Sequence, residues 1–304
     1  MKRLYVLFAA ILAFTIPFTT HAQTSTWSGA SGASGNWTDT NNWVGSIAPS
    51  PGHVLRFPEG AARKINTNNF AAGTAFQRIV LEDTGYHLRG NQIKLLGNTD
   101  LPFPGNILRV SNVVGTNDIS MPILVDTNTS KEIRSQANRL NINNGIHLAQ
   151  AGHLHFALGA ISNRLGITGL GGVIVEGAAT VTMAVETPNT YSGITRNAGT
   201  VIMGTAGQQA IAGDTELFTT LLFPDDGIYR WLSSEVIADI SRFRVFGVMQ
   251  MNGFTETVRE FRPHASVDIQ NGTLRVTEDV RPSHAALDTN AVISVFGAGG
   301  AVEF

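Results

Sequence analysis

Cysteine is absent from the 304-residue chain. That excludes a disulfide scaffold and any thiolate metal site. Charge is scarce: only 14 % of residues are Asp, Glu, Lys or Arg, and the formal net charge is −2. No basic face is visible along the sequence, so nucleic acid is not an expected partner. Low charge does not imply disorder here, because 43 % of residues are hydrophobic. Unfolded chains are poorer in such residues. After its N-terminal segment, the sequence holds no apolar run long enough to span a membrane.

That segment has a distinct layout. Met1-Lys2-Arg3 is positive, Leu4 to Phe18 is apolar apart from residues such as Pro17, and Thr19-Thr20-His21-Ala22 is polar with a small last residue. This is the order of a cleavable signal peptide, and the run is shorter than the roughly 20 residues a transmembrane helix needs. Residues 1–22 are therefore expected to be removed, leaving a mature chain from Gln23 and an extracellular or cell-surface location.

What the sequence has in quantity is glycine, 32 residues of it, with abundant Thr, Asn and Val. Short alternating runs end in Gly, Asn or Asp throughout. Examples are Phe76-Gln77-Arg78-Ile79-Val80-Leu81, Gln92-Ile93-Lys94-Leu95-Leu96 and Ile119-Ser120-Met121-Pro122-Ile123-Leu124-Val125. Period-2 alternation between turn residues is the signal of short strands. A single helix candidate occurs, Arg230 to Ile240, which reads equally well as a loop. A sandwich and a solenoid both fit many short strands. Self-similarity favours the solenoid: Asn197-Ala198-Gly199-Thr200-Val201-Ile202-Met203 parallels Gln270-Asn271-Gly272-Thr273-Leu274-Arg275-Val276, with Asn144-Gly145-Ile146-His147-Leu148 a looser relative. In such a unit Gly takes the corner, Thr and β-branched residues form the strand, and Asn bonds to nearby backbone or stacks on Asn.

Residues 23–60 differ in composition. They hold three of the four tryptophans, Trp27, Trp37 and Trp43, among Ser, Gly, Thr and Asn. Two readings arise: a row of exposed rings for stacking on sugars, or a hydrophobic plug over the open end of a β stack. The expected organisation is a signal peptide (1–22), a Trp/Gly-rich cap segment (23–60) and a β-solenoid repeat region (61–304), truncated at or continuing beyond Ala301-Val302-Glu303-Phe304.

One stretch carries a family likeness. Gly171-Gly172-Val173-Ile174-Val175-Glu176-Gly177-Ala178-Ala179-Thr180-Val181-Thr182-Met183 is followed by Asn189-Thr190-Tyr191-Ser192-Gly193 and then Asn197-Ala198-Gly199-Thr200-Val201. In order and spacing this resembles an autotransporter-associated β-strand repeat. Gly172-Val173-Ile174 replaces the usual Gly-Thr-Leu opening, and Gly193-Ile194-Thr195 departs from the usual Gly-Gly-Thr-Thr. Weaker relatives occur at 245–258 and 266–276, and Gly35-Asn36-Trp37 to Ala48-Pro49 is similar to the opening of such proteins. The resemblance implies a bacterial exported protein built as a right-handed parallel β-helix or solenoid. It implies surface display as a stalk or adhesin-like passenger, in a family many of whose members end in an outer-membrane barrel or a short sorting tail; neither is visible in this sequence.

Candidate chemistry is sparse. His153-Leu154-His155 sets two imidazoles on one side of a strand, a spacing that binds a metal if a third ligand, such as His147 one coil away, joins them. The alternative is a solvated face with Leu154 inside. Asp225-Asp226, before Gly227, and Glu82-Asp83, before Thr84-Gly85, have the composition of turns. No nucleophile elbow occurs, and Gly169-Leu170-Gly171-Gly172 lacks the following helix of a dinucleotide loop. The expectation is a non-enzymatic protein with no catalytic, metal-ligating or cofactor-binding residue assigned. Its expected partners are extracellular glycan or another cell surface. A carbohydrate-binding module on Trp27, Trp37 and Trp43, and a β-helix polysaccharide-degrading enzyme, are the alternatives.

Overall fold

The computed structural model describes residues 22–97, 105–111, 114–126, 128–183, 186–204, 210–212, 215–217, 228–237, 242–280, 293–296 and 301–303. The expected signal peptide lies outside these residues apart from Ala22. So does the Asp225-Asp226 pair.

The chain winds as stacked coils of three short strands, and every pairing between strands is parallel. It is an all-β solenoid. The first face runs through Thr24–Thr26, Val54–Phe57, Arg78–Leu81 and Gly105–Val110 and continues to Thr195–Asn197 and Thr215–Leu217. The second begins with an isolated pairing of Asn36 and Thr67. It continues through Ile65–Asn68, His87–Gly90, Thr116–Ser120, Ala179–Met183, Thr200–Met203 and Ile228–Trp231. The third is a separate sheet of Thr74–Phe76, Ile93–Leu95, Ile123–Val125, Ile146–Leu148, Ile167–Gly169 and Thr190–Tyr191. Coil length varies. A bond between neighbouring coils joins Ile167 to Asn189, 22 residues on, and another joins Asp83 to Asn117, 34 residues on.

The alternation read from the sequence is the alternation of burial. Ile93, Leu95, Ile123, Val125, Ile146 and Leu148 point inward, while Lys94, Leu124 and His147 form the outer row of the same sheet. Each inward residue sits on its counterpart in the next coil, and the result is one continuous apolar core. Burying a Val, Leu or Ile side chain contributes roughly 1.5–3 kcal/mol, so repetition of modest residues suffices to hold the stack without disulfides.

Corners use asparagine and glycine in specific ways. Buried Asn117 accepts the Tyr86 backbone N–H at 2.8 Å and donates to the Asp83 carbonyl at 2.9 Å. Asn189 accepts from the Ile167 backbone N–H and donates to the Ala210 carbonyl. Each side chain clips two coils together where the main-chain ladder is interrupted. Gly159 turns the chain from the first face to the second at φ 80°, and a Cβ there would lie 1.7 Å from the Ser135 carbonyl oxygen. Only glycine fits that corner.

The likeness between 197–203 and 270–276 has an unexpected basis. Thr200–Met203 opens a strand of the second face, paired with Ala179–Met183. Thr273–Val280 instead begins by pairing with 255–258, after the second-face pairing that ends at Gln270. The two segments are the same kind of corner at different edges of the coil. By contrast, the repeat-like stretch 171–203 does form successive elements. It supplies Gly172–Val175 on the first face, Ala179–Met183 on the second and Thr190–Tyr191 on the third, then returns to the first at Thr195–Asn197.

The helix candidate at 230–240 is a strand, Ile228–Trp231, followed by bends, and Ile237 pairs with Ile211. Stacking on the neighbouring coils overrides the weak helical spacing. Residues 238–240 lie outside the described set. Among the described residues no helix is long and apolar enough to cross a membrane.

Candidate functional site

The N-terminal tryptophans are buried: Trp27 and Trp37 are 0 % exposed and Trp43 is 2 % exposed. They pack edge-to-face, with Trp43 at 5.1 Å from Trp27 and 6.4 Å from Trp37. Phe57 lies 5.7 Å from Trp37 and Phe76 lies 6.3 Å from it. Every indole N–H is used inside: Trp27 on the Arg63 carbonyl, Trp37 on Asn66 Oδ1 and Trp43 on the Trp37 carbonyl, each at 2.7 Å. Such rings cannot stack on a sugar without unfolding the segment. The exposed sugar platform is therefore not what these three residues form.

The histidines divide. His153 and His155 share the outer side of the first face, with Leu154 fully buried between them. His147 belongs to the third face, where its Nδ1 lies 2.9 Å from Thr168 Oγ1. It cannot join the other two, because the coil turns a corner between them. His155 Nδ1 lies 2.6 Å from Glu176 Oε1. Burial first, then the charge of Arg196 and the neighbouring His155, holds His153 below the usual histidine range. Among the described residues no group of three His, Asp or Glu side chains is placed to hold a metal ion.

Asp83 and Thr84 form a bend directly after Glu82, and both carboxylates are paired. Glu82 meets Arg56 at 2.7 Å and Asp83 meets Lys64 at 2.6 Å. The Lys64 ammonium keeps the Asp83 carboxyl below its ordinary value.

A polar surface runs along the outer side of the second face, near the N-terminal end. Strand register places Ile65, His87, Asp118, Asn141, Ser162 and Thr182 in one column. A parallel column holds Thr67, Arg89 and Ser120. Rungs repeat at roughly 4.8 Å. Side chains bond from rung to rung: Asn141 donates to Asp118 Oδ1 at 2.9 Å, Asn143 donates to the same oxygen at 3.2 Å, and His87 Nε2 lies 2.8 Å from Ser120 Oγ. A serine beside an imidazole invites comparison with an activated nucleophile. Among the described residues, however, no hydrogen bond joins His87 to Asp118, whose oxygen is taken by two amides. Among the described residues Asp118 is therefore not the orienting partner that a triad would place on the imidazole. The arrangement is a hydrogen-bonding surface.

Compared with family models, with curated proteins and with solved structures, the chain has no match.

The columns lead up to a groove beside residues 35–36. These lie along Ile65–Asn68, with the Thr67 N–H bonded to the Gly35 carbonyl at 2.9 Å. The groove encloses about 550 Å³ and is lined by Asn36, Arg63, Lys64, Thr67 and Arg89 together with small or apolar residues. Sequence reasoning missed it. Arg63, Lys64 and Arg89 are ordinary surface residues until the register is known, and only stacking brings Arg89 beside the other two.

Proposed function

We propose that this chain is a non-enzymatic, exported bacterial surface protein, a stalk or adhesin-like passenger of the autotransporter-associated repeat kind. The observation that carries the reading is the parallel stack itself. Its core is closed and apolar, and its chemistry lies in columns of outward side chains. A solenoid of this type is stiff along its axis because each coil is fixed by ladders to both neighbours. It offers a ligand long, regular rows rather than a deep cavity. In this reading the Trp27–Trp37–Trp43 cluster caps the stack, hiding a sheet edge that would otherwise invite pairing with another chain. The second-face columns meet the glycan or surface that is bound.

Export is directly testable. Expressed with residues 1–22 in a Gram-negative host, the protein is expected to leave the cytoplasm and to begin at Gln23, as read by mass spectrometry of the N-terminal peptide. A protein retained in the cytosol with residues 1–22 attached would contradict the reading.

A further inference from the structure

The groove at the start of the second face carries charge of one sign. Three cationic residues line it and no carboxylate does, in a chain with 21 basic and 23 acidic residues. The three cations are not equivalent. Lys64 is spent internally, with its Nζ 2.6 Å from Asp83 and donating to the Thr84 carbonyl at 2.8 Å. Arg63 and Arg89 are not. Among the described residues neither forms an ion pair, and Arg89 makes one long bond from Nε to Thr67 Oγ1 at 3.3 Å. By contrast, Arg56, Arg134, Arg164 and Arg262 are each matched to a glutamate. Asp39 feels the charge of Arg63 only as the least of several influences, since the Ser31 and Ser34 hydroxyls do most to hold its carboxyl low.

Two guanidinium groups without a carboxylate, beside a groove, are suited to oxyanions. Their planar forks take a carboxylate or a sulfate through two parallel hydrogen bonds. The rest of the lining suits sugar hydroxyls. Asn36 and Thr67 supply an amide and a hydroxyl, and the same column continues to Ser120, with His87 and Asn143 bonded to it. An extended glycan lying along the column would meet a new polar rung at each strand spacing. A nucleic acid is a poorer fit, because no aromatic residue lines the groove to stack a base.

We infer that this groove binds an acidic polysaccharide. Arg63 and Arg89 hold its carboxylate or sulfate groups, and the Thr67–Arg89–Ser120 column meets its hydroxyls. The inference rests on the surface-protein reading and adds to it a place and a ligand class.

The test uses the chain 23–304 and four probes: a polyuronate, a sulfated dextran, neutral dextran and a single-stranded oligonucleotide. The unaltered protein is expected to bind at least one of the two acidic polymers, more weakly as salt rises. The double substitution Arg63→Gln with Arg89→Gln is expected to weaken that binding at least tenfold. Arg164→Gln, at an exposed pair with Glu186, leaves it unchanged. Circular dichroism confirms that each variant keeps its sheet. Binding of the polyuronate alone names the carboxylate as the ligand group, and binding of the sulfated polymer alone names the sulfate; either supports the inference. No binding of either acidic polymer overturns it, as does equal binding by the double variant. Stronger binding of the oligonucleotide, lost in the same variant, also overturns it. Correct export with failed acid binding would leave the surface-protein reading standing while removing the groove.

Discussion

Replacing Trp37 by alanine is expected to destabilise the N-terminal end of the stack by about 3–5 kcal/mol, the cost of removing a large buried aromatic. The ring is fully buried against Trp43, Phe57 and Phe76, so no neighbour can collapse into the space without giving up its own contacts. The change also leaves the buried Asn66 Oδ1 without its 2.7 Å indole donor. Trp37→Phe keeps most of the volume and should cost clearly less. The damage is expected to stay local, because a solenoid's coils depend mainly on their immediate neighbours. Urea unfolding followed by tryptophan emission checks this. The variant should show an early red shift from Trp27 and Trp43, while the far-ultraviolet signal of the remaining sheet persists to higher urea. Unfolding of the whole chain in one step at the original midpoint would contradict it.

The second large effect is expected at Glu256. This carboxylate is fully buried and accepts three N–H groups: the Trp231 indole at 2.7 Å, the Val236 backbone at 3.0 Å and the Ile237 backbone at 3.2 Å. It is the fastener of the irregular corner that follows Trp231, where no regular strand pairing supplies partners. Glu256→Ala would leave those three donors unpaired, at about 1–3 kcal/mol for each unsatisfied buried group. Glu256→Gln keeps an acceptor for two of them and should cost about 1–2 kcal/mol on the same scale.

Burial pushes the Glu256 carboxyl up to about 7 from its ordinary 4.5, against the pull of its three donors, with Glu235 adding to the rise. The folded state therefore binds the proton more tightly than the unfolded one. The stability of this corner is highest below about 4.5, falls as pH rises through about 7 and is level above that. The span is roughly 3 kcal/mol if one pKa unit is worth about 1.4. Hydrogen exchange at the Val236 and Ile237 amides reads it locally. Protection should drop as pH rises across this window once the intrinsic pH dependence of exchange is removed. In Glu256→Gln the residual pH dependence should vanish. Persistence of the slope in that variant would contradict the assignment.

The strands were legible where inward and outward residues alternate. Ile93-Lys94-Leu95 and Ile146-His147-Leu148 declare their two sides in three letters. The solenoid was legible through some of its corners, since related Asn/Gly units recur at 144–145, 197–200 and 271–273. Which corner each unit makes was not legible. The units at 197 and 270 look alike because both meet the same local demand, although one leads to the second face and the other to a strand paired with 255–258. The two readings of the N-terminal tryptophans differ only in burial, and composition does not report burial. The pair His153 and His155 was visible, but the displacement of His147 to another face depends on coil length, which varies from turn to turn. The groove was invisible for the same reason: Arg63 and Arg89 become neighbours only once the register is known. Glu256 gave no local signal either, because its three donors come from the preceding coil.

We propose that this solenoid holds its ligand on an outer face and does not transform it. The most direct measurement incubates the chain 23–304 with a panel of extracellular polysaccharides and follows retention and newly formed chain ends in the same samples. Retention of at least one polymer with no new chain ends is expected. Release of new ends, growing with time and with protein concentration, would contradict it.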